Sequence, residues 1–120
     1  MITIDDIIRI AEEHGWSVDI SYGVTRNKTD KCLEFEKYIG SQDFLFSVWV
    51  ENDDITKFVN DVKEYADDFD IDEETSLWIG NDGHGRDGAP YRISDILKEM
   101  QEAKDEMEEL AEAFRRAVLR

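Results

Sequence analysis

The pattern of hydrophobic and polar positions is clearest between residues 44 and 74. Apolar side chains occupy every second position of segment 44–50, which is the period of a strand with one buried face. From residue 53 onward, apolar residues recur at helical spacing on one side and acidic residues on the other. The apolar stripe comprises Ile55, Phe58, Val59, Val62, Ala66 and Phe69. The pattern predicts a strand followed by an amphipathic helix with an acidic outer face.

Three further elements are predicted before this stretch. Thr3 and Asp6 have the spacing of a capping box, and His14 with the glycine after it is a typical stop signal. We therefore expect a short first helix between them. Segments 16–22 and 32–38 both alternate apolar and polar side chains, which predicts two strands.

The segment after the acidic helix is predicted to end in a long helix. We expect a loop over residues 70–75, a short fourth strand over Ser76–Ile79 and a glycine-rich break before residue 92. Ser94 is the expected cap of the last helix, which would run about 37 Å from Asp95 to Leu119. Its apolar residues repeat at spacings of four and three, the pattern of a heptad seam. The seam comprises Ile96, Met100, Ala103, Met107, Leu110, Phe114 and Ala117.

Together these elements predict an α+β fold. The expected order is α-β-β-β-α-(β)-α, with an antiparallel sheet of three to four strands packed by helices. A length of 120 residues with 41% hydrophobic side chains is ordinary for one domain with a real core. We therefore expect residues 1–120 to form a single acidic domain.

The net charge of this chain is -16, beyond the magnitude of about 2 to 8 that is ordinary for a small domain. Residues 51–74 alone contain 11 acids and 2 bases, a net charge of -9. Such a charge repels nucleic acid and anionic membranes and attracts basic protein surfaces. The expected partner is therefore the basic surface of a protein, in particular a nucleic-acid-binding protein, rather than nucleic acid or a membrane.

Two groups of carboxylates are candidates for partner binding. The first lies where charge density peaks and comprises Asp61, Glu64, Asp67, Asp68, Asp70, Asp72, Glu73 and Glu74. The second recurs on one stripe of the last helix and comprises Asp95, Glu99, Glu102, Glu106 and Glu109. That stripe places a charge about every 5 Å, the same order as the phosphate spacing of about 3.4 Å along one DNA strand. A solvated helix face is the ordinary alternative for either group.

The sequence shows no convincing catalytic or cofactor signature. Gly83 to Gly88 match G-x-G-x-x-G, but a dinucleotide site also requires a second parallel strand after the helix, which the pattern does not show. His84, near Asp82 and Asp87, is the only local arrangement suited to acid–base chemistry, and no serine or cysteine nucleophile lies beside it. We expect a protein that is not an enzyme and needs no cofactor, and a small enzyme that uses His84 is the weaker alternative.

No metal site and no disulfide are expected. Asp68, Asp70 and Asp72 have the spacing of a calcium loop, but Glu73 and Ile79 stand where that loop needs glycine and glutamate. Cys32 is the single cysteine and cannot form an internal disulfide, which favours a reducing compartment. No apolar run approaches the roughly 18 residues of a membrane span, so we expect a cytoplasmic protein.

A family resemblance adds a biological context. It extends over most of the chain, through residues 10–16, 43–46, 72–78, 83–91 and 94–97. These segments, among them Gly83-His84-Gly85 and Ser94-Asp95-Ile96-Leu97, resemble a group of small acidic proteins of gut bacteria and their mobile elements. The resemblance provides no catalytic residues. It implies an anti-defence role, of which anti-CRISPR proteins that imitate nucleic acid are one kind.

Two hypotheses of different classes follow. The first is a non-enzymatic inhibitor whose acidic surface imitates nucleic acid and blocks the nucleic-acid-binding surface of a host protein such as a CRISPR effector nuclease. The second is an interaction module that forms a homodimer through the heptad seam of its last helix, with its acidity serving solubility.

Overall fold

The computed structural model describes residues 2–22, 30–40, 42–80 and 92–119. These residues form a three-stranded antiparallel sheet and four helices, which confirms the α+β class. In chain order the elements are α1 (Ile4–Glu13), β1 (Ser17–Tyr22), β2 (Lys31–Ile39), β3 (Gln42–Val50), α2 (Ile55–Asp68), α3 (Ile71–Gly80) and α4 (Ile93–Leu119).

The sheet is a meander in the order β1-β2-β3, and its register follows the predicted alternation. Val18 pairs with Phe35, which pairs with Phe46, so these residues form one row on the inner face. Glu34 and Glu36 point to the opposite face and are exposed. The helices therefore cover one face of the sheet, and the other face carries acidic and polar side chains together with the exposed Tyr38 and Leu45.

The ends of α1 confirm the predicted signals. The Asp6 amide donates to the Thr3 hydroxyl at 3.3 Å, and the Thr3 amide donates to the Asp6 carboxylate at 2.9 Å, which completes a capping box. The Thr3 amide and, at 3.2 Å, the Thr3 hydroxyl donate to the Asp6 carboxylate, and these two bonds lower the pKa of the Asp6 carboxyl. The helix ends at His14, and Gly15 follows with a φ of +87°, a conformation that glycine adopts without strain.

The loop predicted for residues 70–75 and the strand predicted for Ser76–Ile79 are both wrong, because these residues belong to α3. Asp70 starts the helix: its carboxylate accepts from the Glu73 amide at 3.1 Å, and its carbonyl accepts from the Glu74 amide at 2.9 Å. A capped helix start with acids in its first turn outweighs the strand preference of a short apolar run.

Helix α4 is the longest element, and it begins earlier than predicted. The Arg92 carbonyl accepts from the Asp95 and Ile96 amides at 3.1 Å, so Ser94 lies inside the first turn and is not the cap. The helix has 27 residues, about 40 Å, in a molecule whose longest dimension is 45 Å. It therefore crosses the whole fold.

The buried side chains form one cluster between the sheet and the helices. Phe35 lies at its centre. Its ring stacks on that of Phe46 with the centroids 5.0 Å apart, and its centroid lies 6.2 Å from that of Phe58 and 6.0 Å from that of Phe114. The predicted seam of α4 is buried from Ile96 to Phe114, and Ala117 is partly buried against the cluster. Sheet, α2 and α4 thus share a single aromatic core.

Candidate functional site

An acidic groove opens between α2 and the start of α3. Three carboxylates and a tyrosine of α2 recur at i, i+3, i+4 and i+7, so they share one stripe of that helix. The groove has a volume of about 430 Å³. The described residues that line it are Asp61, Glu64, Tyr65, Asp68, Phe69 and Glu74. Four of the thirteen predicted binding carboxylates therefore meet around two aromatic rings.

Tyr65 ends a column of stacked rings that starts in the core. Its ring lies nearly parallel to Phe46, with the centroids 5.3 Å apart and the planes at 21°. Phe46 stacks on Phe35 in turn, at 5.0 Å and 20°. Phe35 is fully buried, whereas Tyr65 remains 41% exposed. The column thus carries one aromatic face from the core out to the groove.

The environment of Tyr65 also affects its hydroxyl. Partial burial of the ring, and secondarily the negative charge of Glu74, raise the pKa of the Tyr65 phenol above its usual value. A phenol is already neutral at physiological pH, and this rise in pKa widens the pH range over which Tyr65 keeps its proton to donate.

Lys104 of α4 fixes the end of α2 that carries the groove. Its ammonium donates to the carbonyls of Ala66 at 2.7 Å, Phe69 at 3.1 Å and Asp67 at 3.3 Å. The last carbonyls of a helix lack partners within the helix and carry partial negative charge, and α2 has no basic residue in its own last turn. Lys104 supplies that missing cation from a neighbouring helix and so holds the α2–α3 junction against α4.

The start of α3 adds carboxylates beside the groove. Asp70 is the cap, and Asp72, Glu73 and Glu74 occupy the first turn. Anionic side chains at this end interact favourably with the helix dipole, by about 0.3–1 kcal/mol each when exposed. We call the eight predicted carboxylates of α2 and α3 the acidic corner: Asp61, Glu64, Asp67, Asp68, Asp70, Asp72, Glu73 and Glu74.

Most of the acidic corner has no cationic partner among the described residues. Lys57 pairs with Asp61 at 2.8 Å, and this hydrogen bond raises the pKa of the lysine. Lys63 pairs with Asp67 at 2.7 Å. Within the described ranges, no ion pair forms at Glu64, Asp68, Asp70, Asp72, Glu73 or Glu74. The corner therefore keeps a strongly negative net charge.

The acidic stripe of α4 is placed differently. Lys37 of β2 donates to Glu106 at 2.6 Å and also to the His14 carbonyl at 2.8 Å. His14 lies 3.8 Å from Glu109, and the side chain of Glu99 lies against the turn at Gly40. Three of the five stripe carboxylates thus contact α1, β2 or the β2–β3 turn. They connect α4 to its neighbours in the fold.

The two predicted carboxylate groups do not form one surface. Lys104, which faces the acidic corner, and Glu106, which faces Lys37, are two residues apart and so lie on opposite sides of α4. Asp95 and Glu102 are exposed on the Glu106 side and make no ion pair with another described residue. The acidic corner is therefore the stronger candidate site.

Tyr65, Phe69 and Lys104 are the site residues that the sequence analysis missed. Tyr65 had a usable signal, because it stands four residues after Asp61 and three before Asp68 on the same stripe. Phe69 was assigned only to the core. The part played by Lys104 had no local signal, since it depends on how α4 packs against α2.

The remaining sequence-based expectations concern metal binding, membrane crossing and the glycine-rich segment. In the described part of the chain, no group of three or more His, Cys, Asp or Glu side chains is arranged to hold a metal ion, and Asp70 serves as a helix cap. No helix in that part is both long and apolar enough to cross a bilayer. The G-x-G-x-x-G segment, His84 and Tyr91 lie outside the described residues.

Comparison with protein-family models, curated proteins and solved structures gave no significant match. Functional inference therefore depends on the geometry and charge described above.

Proposed function

We propose that this protein is a non-enzymatic inhibitor that blocks the nucleic-acid-binding surface of a host protein, such as a CRISPR effector nuclease. In this proposal the acidic corner takes the place of phosphates. The observation that supports it most is the group of carboxylates that have no cationic partner among the described residues, which includes Glu64, Asp68 and Glu74 around the groove. The resemblance to small acidic proteins of mobile elements supports the same context.

The physical basis of this proposal is the negative charge of the acidic corner. A surface that binds nucleic acid presents Lys and Arg side chains at the spacing of phosphates. Apart from Asp61 and Asp67, the carboxylates of the acidic corner can pair with such side chains without displacing a cation of the described residues. Because the attraction is long-ranged at low salt, it accelerates association more than it slows dissociation.

The alternative of a homodimer through the heptad seam of α4 gains no support from the packing. Met107, Leu110 and Phe114 are fully buried within the chain itself. A second copy would therefore have to bind another face of α4.

The first prediction concerns association kinetics with a partner captured from cells that carry phage-defence systems. The variant Glu64→Gln/Asp68→Asn/Glu73→Gln/Glu74→Gln removes four negative charges from the corner. We expect its association rate constant at low salt to fall about tenfold or more, because electrostatic steering contributes roughly 10- to 1000-fold. Surface plasmon resonance at several salt concentrations measures this rate.

The matched control removes the same charge from the other face of the sheet. It carries Asp19→Asn/Glu34→Gln/Glu36→Gln/Asp43→Asn, all at exposed positions. Its association rate should stay within about twofold of the unchanged protein, since these charges lie away from the corner. An equal effect of both variants, or an association rate of the unchanged protein that does not depend on salt, would refute the mimic.

A further inference from the structure

The exposed end of the aromatic column is the feature that carries a more specific inference. One face of the Tyr65 ring lies on Phe46, so the other face is directed away from the core, where the ring lines the acidic groove. A surface ring packed on a buried one is held in a fixed orientation. The groove therefore presents a rigid aromatic plane, and not only a set of mobile charges.

We infer that this groove binds the guanidinium group of an arginine side chain from a protein partner, stacked on Tyr65 and paired with the surrounding carboxylates. The inference rests on the proposed function, in that both require a basic partner. It goes further because it names the side chain that the groove selects.

Charge complementarity indicates a cation as the occupant. Glu64 and Asp68 flank Tyr65 on α2, and Glu74 faces them from α3. None of these three carboxylates pairs with a cation among the described residues, while Asp61 already accepts from Lys57. A neutral or anionic side chain placed over Tyr65 would leave them without a partner.

The aromatic plane then favours arginine over lysine. A guanidinium is planar, so it can stack on the outer face of Tyr65 and direct its edge N–H groups toward carboxylates at the same time. A lysine ammonium is compact and strongly hydrated, and it has no plane to stack. The ring column and the carboxylates together match the shape and charge of an arginine head group.

The test is a titration of the isotope-labelled protein, followed by NMR, with three pentapeptides that differ only in the central residue: arginine, lysine or the neutral arginine analogue citrulline. We expect the arginine peptide to shift the amide signals of residues 61–74 and to bind about three- to tenfold more tightly than the lysine peptide, the range of one cation–π contact. The citrulline peptide should not bind.

Variants at two exposed tyrosines isolate the role of the ring. Tyr65→Leu keeps an apolar side chain and should abolish the preference for arginine over lysine, whereas Tyr65→Phe keeps the ring and should retain it. Tyr38→Leu, at a tyrosine that is 66% exposed on the other face of the sheet, is the matched control and should change nothing. Circular dichroism of each variant confirms that it is folded.

The inference is overturned if arginine and lysine peptides bind equally, or if Tyr65→Leu retains the preference. Either result, together with a steep salt dependence of partner association, would leave the proposed function standing without the arginine site. Arginine selectivity together with partner association that is insensitive to salt would support the site and reject the nucleic-acid mimic.

Discussion

At the scale of single residues, two lysines connect separate elements of the fold. Lys37 joins α1 to α4 through the His14 carbonyl and Glu106, and its ammonium lies 5.9 Å from the centre of the Trp16 ring. Lys104 joins α4 to the end of α2 through three backbone carbonyls. Both lysines therefore have structural roles, although bases are scarce in this chain, with 14 against 30 acids.

Replacing Lys104 tests the strength of this connection. The change Lys104→Met keeps most of the side-chain stem and removes the ammonium, so the carbonyls of Ala66, Asp67 and Phe69 lose their donor. We expect the free energy of unfolding to fall by about 1–2 kcal/mol, since hydrogen bonds from a charged donor contribute roughly 1.5–3 kcal/mol and this one is partly solvated. Urea denaturation measures the change.

Lys98→Met is the matched control for this prediction. Lys98 is an exposed lysine on the same helix, and its removal should alter the stability by no more than about 0.5 kcal/mol. If the two variants were equally stable, the connection through Lys104 would contribute nothing.

At the scale of elements, α3 shows that a single capping residue can start a new helix almost directly after the preceding helix ends. Only Phe69 and Asp70 separate α2 from α3, and the Asp70 carboxylate accepts from the Glu73 amide, which has no partner within the helix. The junction also brings Glu74 to the groove. The shape of the groove therefore depends on where this helix begins.

The change Asp70→Ala should selectively weaken α3. Losing an N-cap costs about 0.5–2 kcal/mol, whereas Asp72→Ala removes only a first-turn charge and should cost about 0.3–1 kcal/mol. Hydrogen exchange of the amides in 73–80 measures the local opening of the helix. Equal protection of α3 in both variants would contradict the capping role of Asp70.

The fate of α3 also shows what the sequence could predict. The strands, α1, α2 and the seam of α4 each have a sustained period, and the structure confirms them. The apolar run Leu77-Trp78-Ile79 is too short to distinguish a strand from a helix. The signal that decides for a helix is the N-cap residue Asp70, which the sequence analysis did not use.

The sequence predicts the candidate site only in part, because some of its residues are brought together by the packing of separate elements. The local charge density of residues 51–74 pointed to the carboxylates of the acidic corner. Tyr65 lies on the stripe of Asp61 and Asp68, but it is not acidic, so the charge pattern did not include it. Its contact with Phe46 depends on how α2 packs against β3, which helical spacing does not encode. The internal pairing of Glu106 with Lys37 depends on packing in the same way.

At the scale of the whole molecule, the net charge of -16 implies self-repulsion in the folded state. Raising the salt concentration from about 20 mM to about 500 mM shortens the Debye length from roughly 20 Å to 4 Å and should raise the melting temperature. Calorimetry measures this shift. The four-charge variant of the acidic corner should gain less, and a melting temperature that falls with salt would mean that attractive ion pairs dominate.

The position of α4 in the chain has a consequence for how the protein folds during synthesis. Phe114 packs on Phe35, nearly eighty residues earlier, and α1, α2, α3 and β2 all contact α4. Until α4 leaves the ribosome, the inner faces of the sheet and α2 lack the cover that α4 provides. The hairpins and α2 can form early because their contacts are local, but the aromatic cluster closes only after α4 has been synthesised. The nascent chain therefore exposes apolar surface until α4 has emerged, and we expect the net charge of -16 to help keep that intermediate from aggregating.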